Sequence, residues 1–537
     1  MRRSNQPWLP AATAELDWQA TSDAPFPRSR RFGDIYYSTE NGLEESRYVF
    51  LHGNNLPGRC SSHPEDTFCV AETGFGTGLN FLLTWQAWRS LPDSRPRLHY
   101  LAVEKHPLTR EDLDRALAAW PELGDLRAAL IDAYPMAVKG CHRLTLDDHR
   151  LTLDLWWGDA TDTLCDLASP EAAWVDAWYL DGFAPALNPG MWSADMLHAV
   201  GRLSRPGATF ATFTAAGQVR RDLLAAGFDV SKSPGFGRKR ERLVGRLQTA
   251  PEHPPQGETP WDIGTRAAQR PATALVVGGG LAGCTTAAAL ARRGVAVTLL
   301  ERGELATGGS GNQQGILYTR LSRRHSALTD FALASFCHAS RHYRALLVSG
   351  RLREGQDGAL CGSFHQSGDD EEMAYLAEVL SKVPELGQIL DRQDANRMLG
   401  VEQASAGYWF PGSGWLRPVS VCQTVAATPN VQTLEHCGEI SLRRVDGEWR
   451  AYCDDRLIAR ADCAVIATGL QATAHPGLEW LPLRPIRGQT TQLPTSDPLG
   501  QLRAALCHSG YVAPARAGQH CIGATFDLHD DCGQTRT

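Results

Sequence analysis

TFCVAETGFGTGLNFLLTWQAW, residues 67–88, and TALVVGGGLAGCTTAAALARRG, residues 273–294, share one construction. Each begins with a short apolar run, turns through closely spaced glycines and continues into a run that suits a helix. In the first, LNFLLTWQAW is apolar almost all round, as a helix buried on every side must be. In the second, alanine and leucine favour the helix and Gly294 stops it. Strand, glycine turn and helix in that order are the opening unit of a parallel α/β sheet. The chain therefore reads as two α/β domains, each with its own glycine loop.

The length agrees. At ~100–200 residues per domain, 537 residues hold three or four ordinary domains or two large ones. With 43% hydrophobic and 21% charged residues, a large core is expected and a disordered chain is excluded. The formal net charge of -7 excludes a strongly basic nucleic-acid binder, so any nucleic acid must be held by local basic patches. The 14 cysteines include no Cys-x-x-Cys, so no metal is expected and the thiols read as reduced, in a cytoplasmic protein. MRRSNQPWLP has no apolar stretch behind its arginines, so a signal peptide is not expected. The run 271–291 is long enough for a membrane but is broken by four glycines, so no membrane association is expected. Residues 249–271, with five prolines and few aliphatic residues, read as an extended linker. The expected division is 1–248, linker 249–271, and 272–537.

In the first half, Glu72, Gly74, Gly76 and Gly78 form the turn after a strand, where missing Cβ atoms let a nucleoside approach the backbone. Later strands end in acids. LHYLAVE ends at Glu104, suited to two ribose hydroxyls, and LTLDLWW leads to Asp159, suited to an adenine amino group. AWVDAWYL runs into Asp181-Gly-Phe183-Ala-Pro185. Acids along one crevice suit a neutral or cationic adenosyl ligand better than a phosphate. The set resembles the S-adenosylmethionine-dependent methyltransferases, with these residues as the cofactor site. The stretch DGFAPALNPGMW, 181–192, is similar to the acceptor loops of amino-group methyltransferases. Such chemistry needs an amine lone pair in line with the methyl–sulfonium bond, mostly a matter of positioning. With an ordinary carboxyl pKa near ~3.9, Asp181 is expected to orient the amine rather than deprotonate it, with Phe183 as an apolar wall.

In the second half, Gly278, Gly280 and Gly283 follow a strand and open a helix, and Glu301 ends the next strand. That is a dinucleotide fingerprint in its structural context, compatible with FAD or NAD. The small-residue loop through Ser310, Gly311, Asn312 and Gln314, and the returning strand CAVIATG with Thr468 and Gly469, favour FAD. This half resembles the FAD-dependent amine oxidases that include D-amino-acid and glycine oxidases, which implies a mixed β-sheet substrate domain inserted in the FAD domain. Arg417, Arg484 and Arg487 are candidates to clamp a substrate carboxylate. His508 and Tyr511 lie near the returning chain.

ETGFGTGLNFL, DGFAPALNPGMW, GFGRKRERL, GGGLAG, GGSGNQQGILYTRL and RPIRGQTT together resemble the MnmC family of bifunctional tRNA wobble-uridine modification enzymes. The resemblance implies two steps. The FAD half removes the carboxymethyl group from 5-carboxymethylaminomethyl-(2-thio)uridine. The methyltransferase half then methylates the exposed amine from S-adenosylmethionine. Candidate phosphate contacts for the tRNA are Arg28, Arg30 and Arg31, with Arg238, Lys239, Arg240 and Arg242. The chain ends at Thr537 without the last strand and helix by which amine oxidases close around the flavin, so the FAD half is expected to lack its end. Two other readings stand beside this one: only the methyltransferase works, with the FAD half as a docking module, or the oxidase acts on small free amines. A monomer fits the sequence as well as any oligomer.

Overall fold

The computed structural model describes residues 9–19, 26–168, 173–237, 239–249, 251, 270–319, 321, 326–528, 530 and 532. Most of the stretch read as a linker, 249–271, lies outside the described residues, as does Arg238. The chain forms two compact units that meet in sequence between Arg266 and Ala267.

The first unit is built on an eight-stranded sheet. Its strands are β1 (Thr67–Glu72), β2 (Arg97–Glu104), β3 (Gly140–Leu146), β4 (Leu151–Trp157), β5 (Val175–Leu180), β6 (Ser204–Thr212), β7 (Phe228–Pro234) and β8 (Glu241–Leu247). They lie in the order β3-β4-β2-β1-β5-β6-β8-β7. The five central strands are parallel; β3, β7 and β8 pair antiparallel. The chain leaves β1 toward β2 and later returns to its other side as β5. Strand order reverses at β1, which opens a crevice at the carboxyl ends of the strands. Helix α1 (Leu79–Arg89) follows the glycine loop. Phe81, Leu82, Leu83, Trp85 and Trp88 are all buried there, the all-round burial that its sequence requires. Each contributes about 1.5–3 kcal/mol of hydrophobic stabilisation. Helix α2 (Ala160–Leu167) follows β4 and is capped by Asp159.

The second unit has a parallel sheet of β9 (Thr273–Val277), β10 (Ala296–Leu300), β11 (Val431–Leu434) and β12 (Cys463–Ile466), ordered β11-β10-β9-β12. Helix α3 (Leu281–Arg292) leaves the glycine turn and packs on α4 (Pro418–Ala426) through small buried residues such as Cys284, Ala287 and Cys422. The same unit holds a seven-stranded mixed sheet. The stretch between β10 and the returning strand β12 is long enough to hold the inserted sheet that the resemblance implies. The structure draws it from both sides. Ser363–Gln366 and Gly407–Phe410 precede β12, whereas Ala505–Cys507 follows it and pairs in parallel with Ser363–His365. A parallel partner requires a long crossover, and the crossover here contains β12 itself.

Candidate functional site

At the carboxyl ends of β1, β2, β4 and β5 lies a cavity of about 950 Å³. Thr73 and Asp181 close its base: Thr73 Oγ1 donates to the Asp181 carbonyl at 2.7 Å, and the Asp181 amide donates back at 3.1 Å. Gly74 lies against the same carbonyl, where a Cβ would approach to 3.2 Å. Gly76 takes φ +51° and donates its amide to Glu104 Oε2 at 3.0 Å. The His106 amide holds Glu104 Oε1 at 2.8 Å. A carboxylate offers about four acceptor sites, so Glu104 keeps capacity for a ribose hydroxyl. His106 lines the cavity beside it. Its Nδ1 meets the Ala12 carbonyl at 3.2 Å, and its Nε2 is buried without a partner. Burial pushes its pKa down, which favours the neutral ring, and with the Nδ1 hydrogen on the Ala12 carbonyl Nε2 is the acceptor. Asp159 reaches the cavity while its Oδ1 caps α2 and its Oδ2 pairs with Lys105 at 2.8 Å. These acceptors, with the glycine loop, fit an adenosyl group bearing a ribose.

Asp181 lines the cavity with Phe183. Gly182 N–H donates to Asp181 Oδ1 at 2.8 Å, and Asn80 Nδ2 to Oδ2 at 2.8 Å. Burial pushes the carboxyl up to about 6, against the pull of these donors and of Lys239. This corrects the expectation of an ordinary carboxyl: Asp181 is a stronger proton acceptor than its sequence context implies. Phe183 stacks on Phe32 at 4.8 Å and meets the edge of Tyr36 at 5.2 Å, giving a three-ring wall. Phe32, Tyr36, Asn80 and His106 escape sequence reasoning. Phe32 and Tyr36 sit in PRSRRFGDIYYS, where the arginines draw the eye.

Four candidate residues are corrected here. Glu72 is fully buried behind the wall and bonds to Asn80 and Tyr100, so it does not touch the cavity. Gly78 shapes the loop from beneath: φ is +70°, and a Cβ would strike Phe75 at 2.8 Å. Lys239, expected on a phosphate, instead lines the cavity, pairs with Glu45 at 3.0 Å and lies over the Phe213 ring. Arg242 is buried, donates to the Val49 and Pro234 carbonyls and lies over Tyr48, so it is a structural brace. Arg240 is exposed. Arg28 is tied to the Gly33 carbonyl, Arg30 to Asp17, and Arg31 lies over Phe32.

In the second unit, Gly278 at φ +109° brings the turn within reach of β12; a Cβ there would lie 2.5 Å from the Ala467 carbonyl. A Cβ on Gly283 would lie 1.8 Å from the Gly278 carbonyl oxygen, so α3 packs directly on the turn. Glu301 accepts from the amides of Gly279 at 2.6 Å and Gly303 at 3.0 Å. Ser310 Oγ accepts from the Leu281 amide at 3.1 Å and stands above Gly280. The Gly311 N–H closes its loop by donating to the Gly308 carbonyl at 2.9 Å, and Asn312 is exposed. Thr468 Oγ1 is buried with no partner, beside Gly469 at φ +59°. An orphaned hydroxyl at the end of β12 and a cradle that a Cβ would fill both fit a dinucleotide. Two candidates are corrected. The Gln314 side chain is buried and donates to the Pro514 carbonyl, while Tyr511 donates to the Gln314 carbonyl. Arg487 is committed to Asp527 and the Cys532 carbonyl, which leaves it a brace rather than a clamp. Arg417 donates to Ser420 Oγ at 3.0 Å and keeps a buried Nε without a partner. Arg484 is exposed, and His508 meets Ser509 Oγ at 3.0 Å.

Residues 121–248 match the family described as S-adenosyl-L-methionine-dependent methyltransferase, and residues 273–536 the family FAD dependent oxidoreductase. Over 522 residues the chain is 43% identical to the tRNA 5-methylaminomethyl-2-thiouridine biosynthesis bifunctional protein MnmC of Pseudomonas savastanoi pv. phaseolicola, covering 96% of this chain and 77% of that protein. The chain belongs to the MnmC family. The MnmC of Stutzerimonas stutzeri is 42% identical over 518 residues, 96% of this chain and 76% of that one. Among solved structures, glycine oxidase from Geobacillus kaustophilus matches with a TM-score of 0.42 at 22% identity, over 50% of this chain and 74% of that one. MnmC family membership makes the protein an enzyme with two cofactor-dependent halves, one using S-adenosylmethionine and one FAD. Among the described residues, no helix is long and apolar enough to cross a membrane and no group of side chains is arranged to hold a metal.

Proposed function

We propose that the chain performs both steps at the wobble uridine of tRNA. The FAD half converts 5-carboxymethylaminomethyl-(2-thio)uridine to 5-aminomethyl-(2-thio)uridine, and the methyltransferase half converts that to 5-methylaminomethyl-(2-thio)uridine. The observation that carries this reading is the wall where Asp181 and the Phe183–Phe32–Tyr36 rings meet in one cavity with the Glu104 loop. Aromatic faces there suit a planar base, and a carboxylate beside them suits the amine it bears.

S-adenosylmethionine, when bound, supplies a methyl carbon activated by its positive sulfur. Glu104 and His106 hold the adenosyl end as acceptors. Asp181, fixed on both oxygens, accepts a charge-assisted bond from the substrate amine and aims its nitrogen. The N–C bond forms as the C–S bond breaks, the bonding pair stays on sulfur, and the proton from nitrogen passes to Asp181 or water. Lys239 is kept from the amine by its pairing with Glu45.

FAD held here would supply a two-electron acceptor for oxidation of the carbon next to nitrogen. In this chain Gly278 and Gly283 make room for the dinucleotide, Glu301 and Ser310 fix the turn, and Arg417 with its free Nε is the remaining candidate for the substrate carboxylate. Hydrolysis of the resulting imine releases the carboxymethyl carbons as an aldehyde acid and leaves the primary amine. Arg240 and Arg31, both exposed, are candidate tRNA phosphate contacts. The 14 free cysteines support a reducing, cytoplasmic location.

The test is spectroscopic. Anaerobic addition of tRNA bearing 5-carboxymethylaminomethyluridine should bleach the bound flavin, and N-methylglycine at the same concentration should not. Equal bleaching by N-methylglycine would favour the small-amine oxidase. A protein that binds no flavin yet transfers methyl groups would leave only the first half active. Asp181→Ala should abolish methyl transfer while S-adenosylmethionine still binds; full activity would remove Asp181 from the mechanism.

A further inference from the structure

Two carboxyl groups, Glu72 and Asp181, share a single amide. Asn80 Nδ2 donates to Glu72 Oε1 at 2.7 Å and to Asp181 Oδ2 at 2.8 Å. Asn80 is the second residue of α1 and is buried. Its backbone carbonyl is held by Thr84 Oγ1 at 2.7 Å, and Thr84 Oγ1 lies 2.9 Å from the Tyr179 hydroxyl. Behind it, Tyr100 donates to Glu72 Oε2 at 2.9 Å. The Asn80 Oδ1 atom is buried and has no partner. A buried amide used only for packing would satisfy its carbonyl first, because an unpaired buried acceptor is costly. This one leaves the carbonyl orphaned and spends both amide hydrogens on carboxyl oxygens.

We infer that Asn80 is a positioning residue for methyl transfer: anchored to Glu72 behind it, it holds Asp181 Oδ2 so that the carboxylate presents its remaining lone pairs to the amine. The inference rests on the reading of Asp181 as the group that receives the amine. The planar NH₂ fixes two directions about 120° apart, so locking one hydrogen on Glu72 fixes where the other meets Asp181. Glu72, buried and facing Asp181, has a pKa well above the usual carboxylate range. Burial and the neighbouring Asp181 raise Glu72, which favours Asp181 as the anion of the pair.

The groups facing Asp181 set the sign of the pH effect. Lys239, just ahead of β8, favours the anion, and Glu45 of the short helix Gly42–Ser46 opposes it. Glu72 on β1 and Tyr100 on β2 face it from behind, with Tyr179 of β5 and Glu104 at the end of β2 next to Glu72. Asn80 donates to the charged form and so lowers the pKa; removing the donor raises it.

The experiment measures methyl transfer to aminomethyl tRNA against pH for wild type, Asn80→Ala and Asn80→Asp, together with S-adenosylmethionine binding. Asn80→Ala should lower kcat by about 10–100-fold with Kd for S-adenosylmethionine within about twofold. The acid limb of kcat/KM should move up by roughly one pH unit. Asn80→Asp keeps the size but puts an acceptor where the donor stood, and should move the limb at least as far. Unshifted acid limbs in both variants, or a kcat loss that follows lost S-adenosylmethionine binding, would overturn the inference. If Asp181→Ala abolishes transfer while the Asn80 variants behave as wild type, only this inference fails; if Asp181→Ala is fully active, the reading beneath it fails.

Discussion

Gly283→Ala should weaken flavin binding and spare the methyltransferase. An ideal Cβ at this position lies 1.8 Å from the Gly278 carbonyl oxygen, 3.0 Å from its carbonyl carbon and 3.4 Å from Ala467 Cβ. Ordinary contact begins near ~3.4 Å, so α3 must retreat from the turn by about 1.5 Å, an overpacking of about 1–3 kcal/mol. Alanine returns about 1 kcal/mol through helix propensity, so the net loss of stability is small. The larger effect is geometric. The retreat carries the Leu281 amide away from Ser310 and opens the turn that the Gly279 amide closes on Glu301. Losing one charge-assisted contact to the dinucleotide costs about 1.5–3 kcal/mol, or roughly 10–100-fold in flavin affinity. The assay is the flavin-to-protein ratio after purification and an FAD titration of the apoprotein, with methyl transfer to aminomethyl tRNA as internal control. Wild-type flavin affinity in Gly283→Ala would refute the close packing of helix on turn. Parallel loss of methyl transfer would refute the assignment of the two chemistries to separate units.

Four further outcomes follow from the first unit. Asp154 is buried, yet the Arg143 fork and His99 at 2.8 Å hold it down at about 2. Its folded pKa lies below the unfolded value of ~3.9, so its stabilisation, about 2 kcal/mol, is present above pH ~4 and is lost as pH falls through about 2. Asp154→Asn should lower stability at pH 7 by that amount and flatten the acid limb of the stability curve in denaturant titrations. Phe183→Ala removes the middle ring of the aromatic wall and should raise KM for tRNA by about tenfold, with S-adenosylmethionine binding retained in calorimetry; an unchanged KM would detach the wall from substrate. Arg242→Ala should destabilise the first unit by about 1–3 kcal/mol, because the buried Val49 carbonyl loses a donor. Arg240→Ala should leave stability unchanged and reduce the salt dependence of tRNA binding by about one counterion.

The architecture was legible because backbone chemistry wrote it into the sequence. Gly76, Gly78 and Gly278 take positive φ, and a glycine-rich turn between an apolar strand and an apolar helix has few other solutions. Glu104, Asp159 and Asp181 were legible as strand-end acids, and all three line the cavity. Glu72 was misread because its position in the motif is that of a wall residue, while its burial depends on Tyr100 and Asn80 arriving from β2 and α1. Lys239 and Arg242 read as one basic run; in β8 and the turn before it they separate, one toward the cavity and Glu45, the other into the core. Arg487 looked like a clamp until Asp527, 40 residues downstream, claimed it. Long-range pairing of this kind leaves no local signal. The ring stack of Phe32 on Phe183 joins residues 151 apart in sequence, and nothing in either stretch announces the other.

The central claim is that one chain carries out two successive reactions on one nucleoside. The direct measurement is nucleoside analysis of tRNA bearing 5-carboxymethylaminomethyluridine after incubation with the purified protein, first without and then with S-adenosylmethionine. Without it, 5-aminomethyluridine should accumulate; with it, 5-methylaminomethyluridine should replace the intermediate. An unchanged substrate nucleoside in both incubations, together with methylation of 5-aminomethyl tRNA supplied separately, would contradict the two-step account.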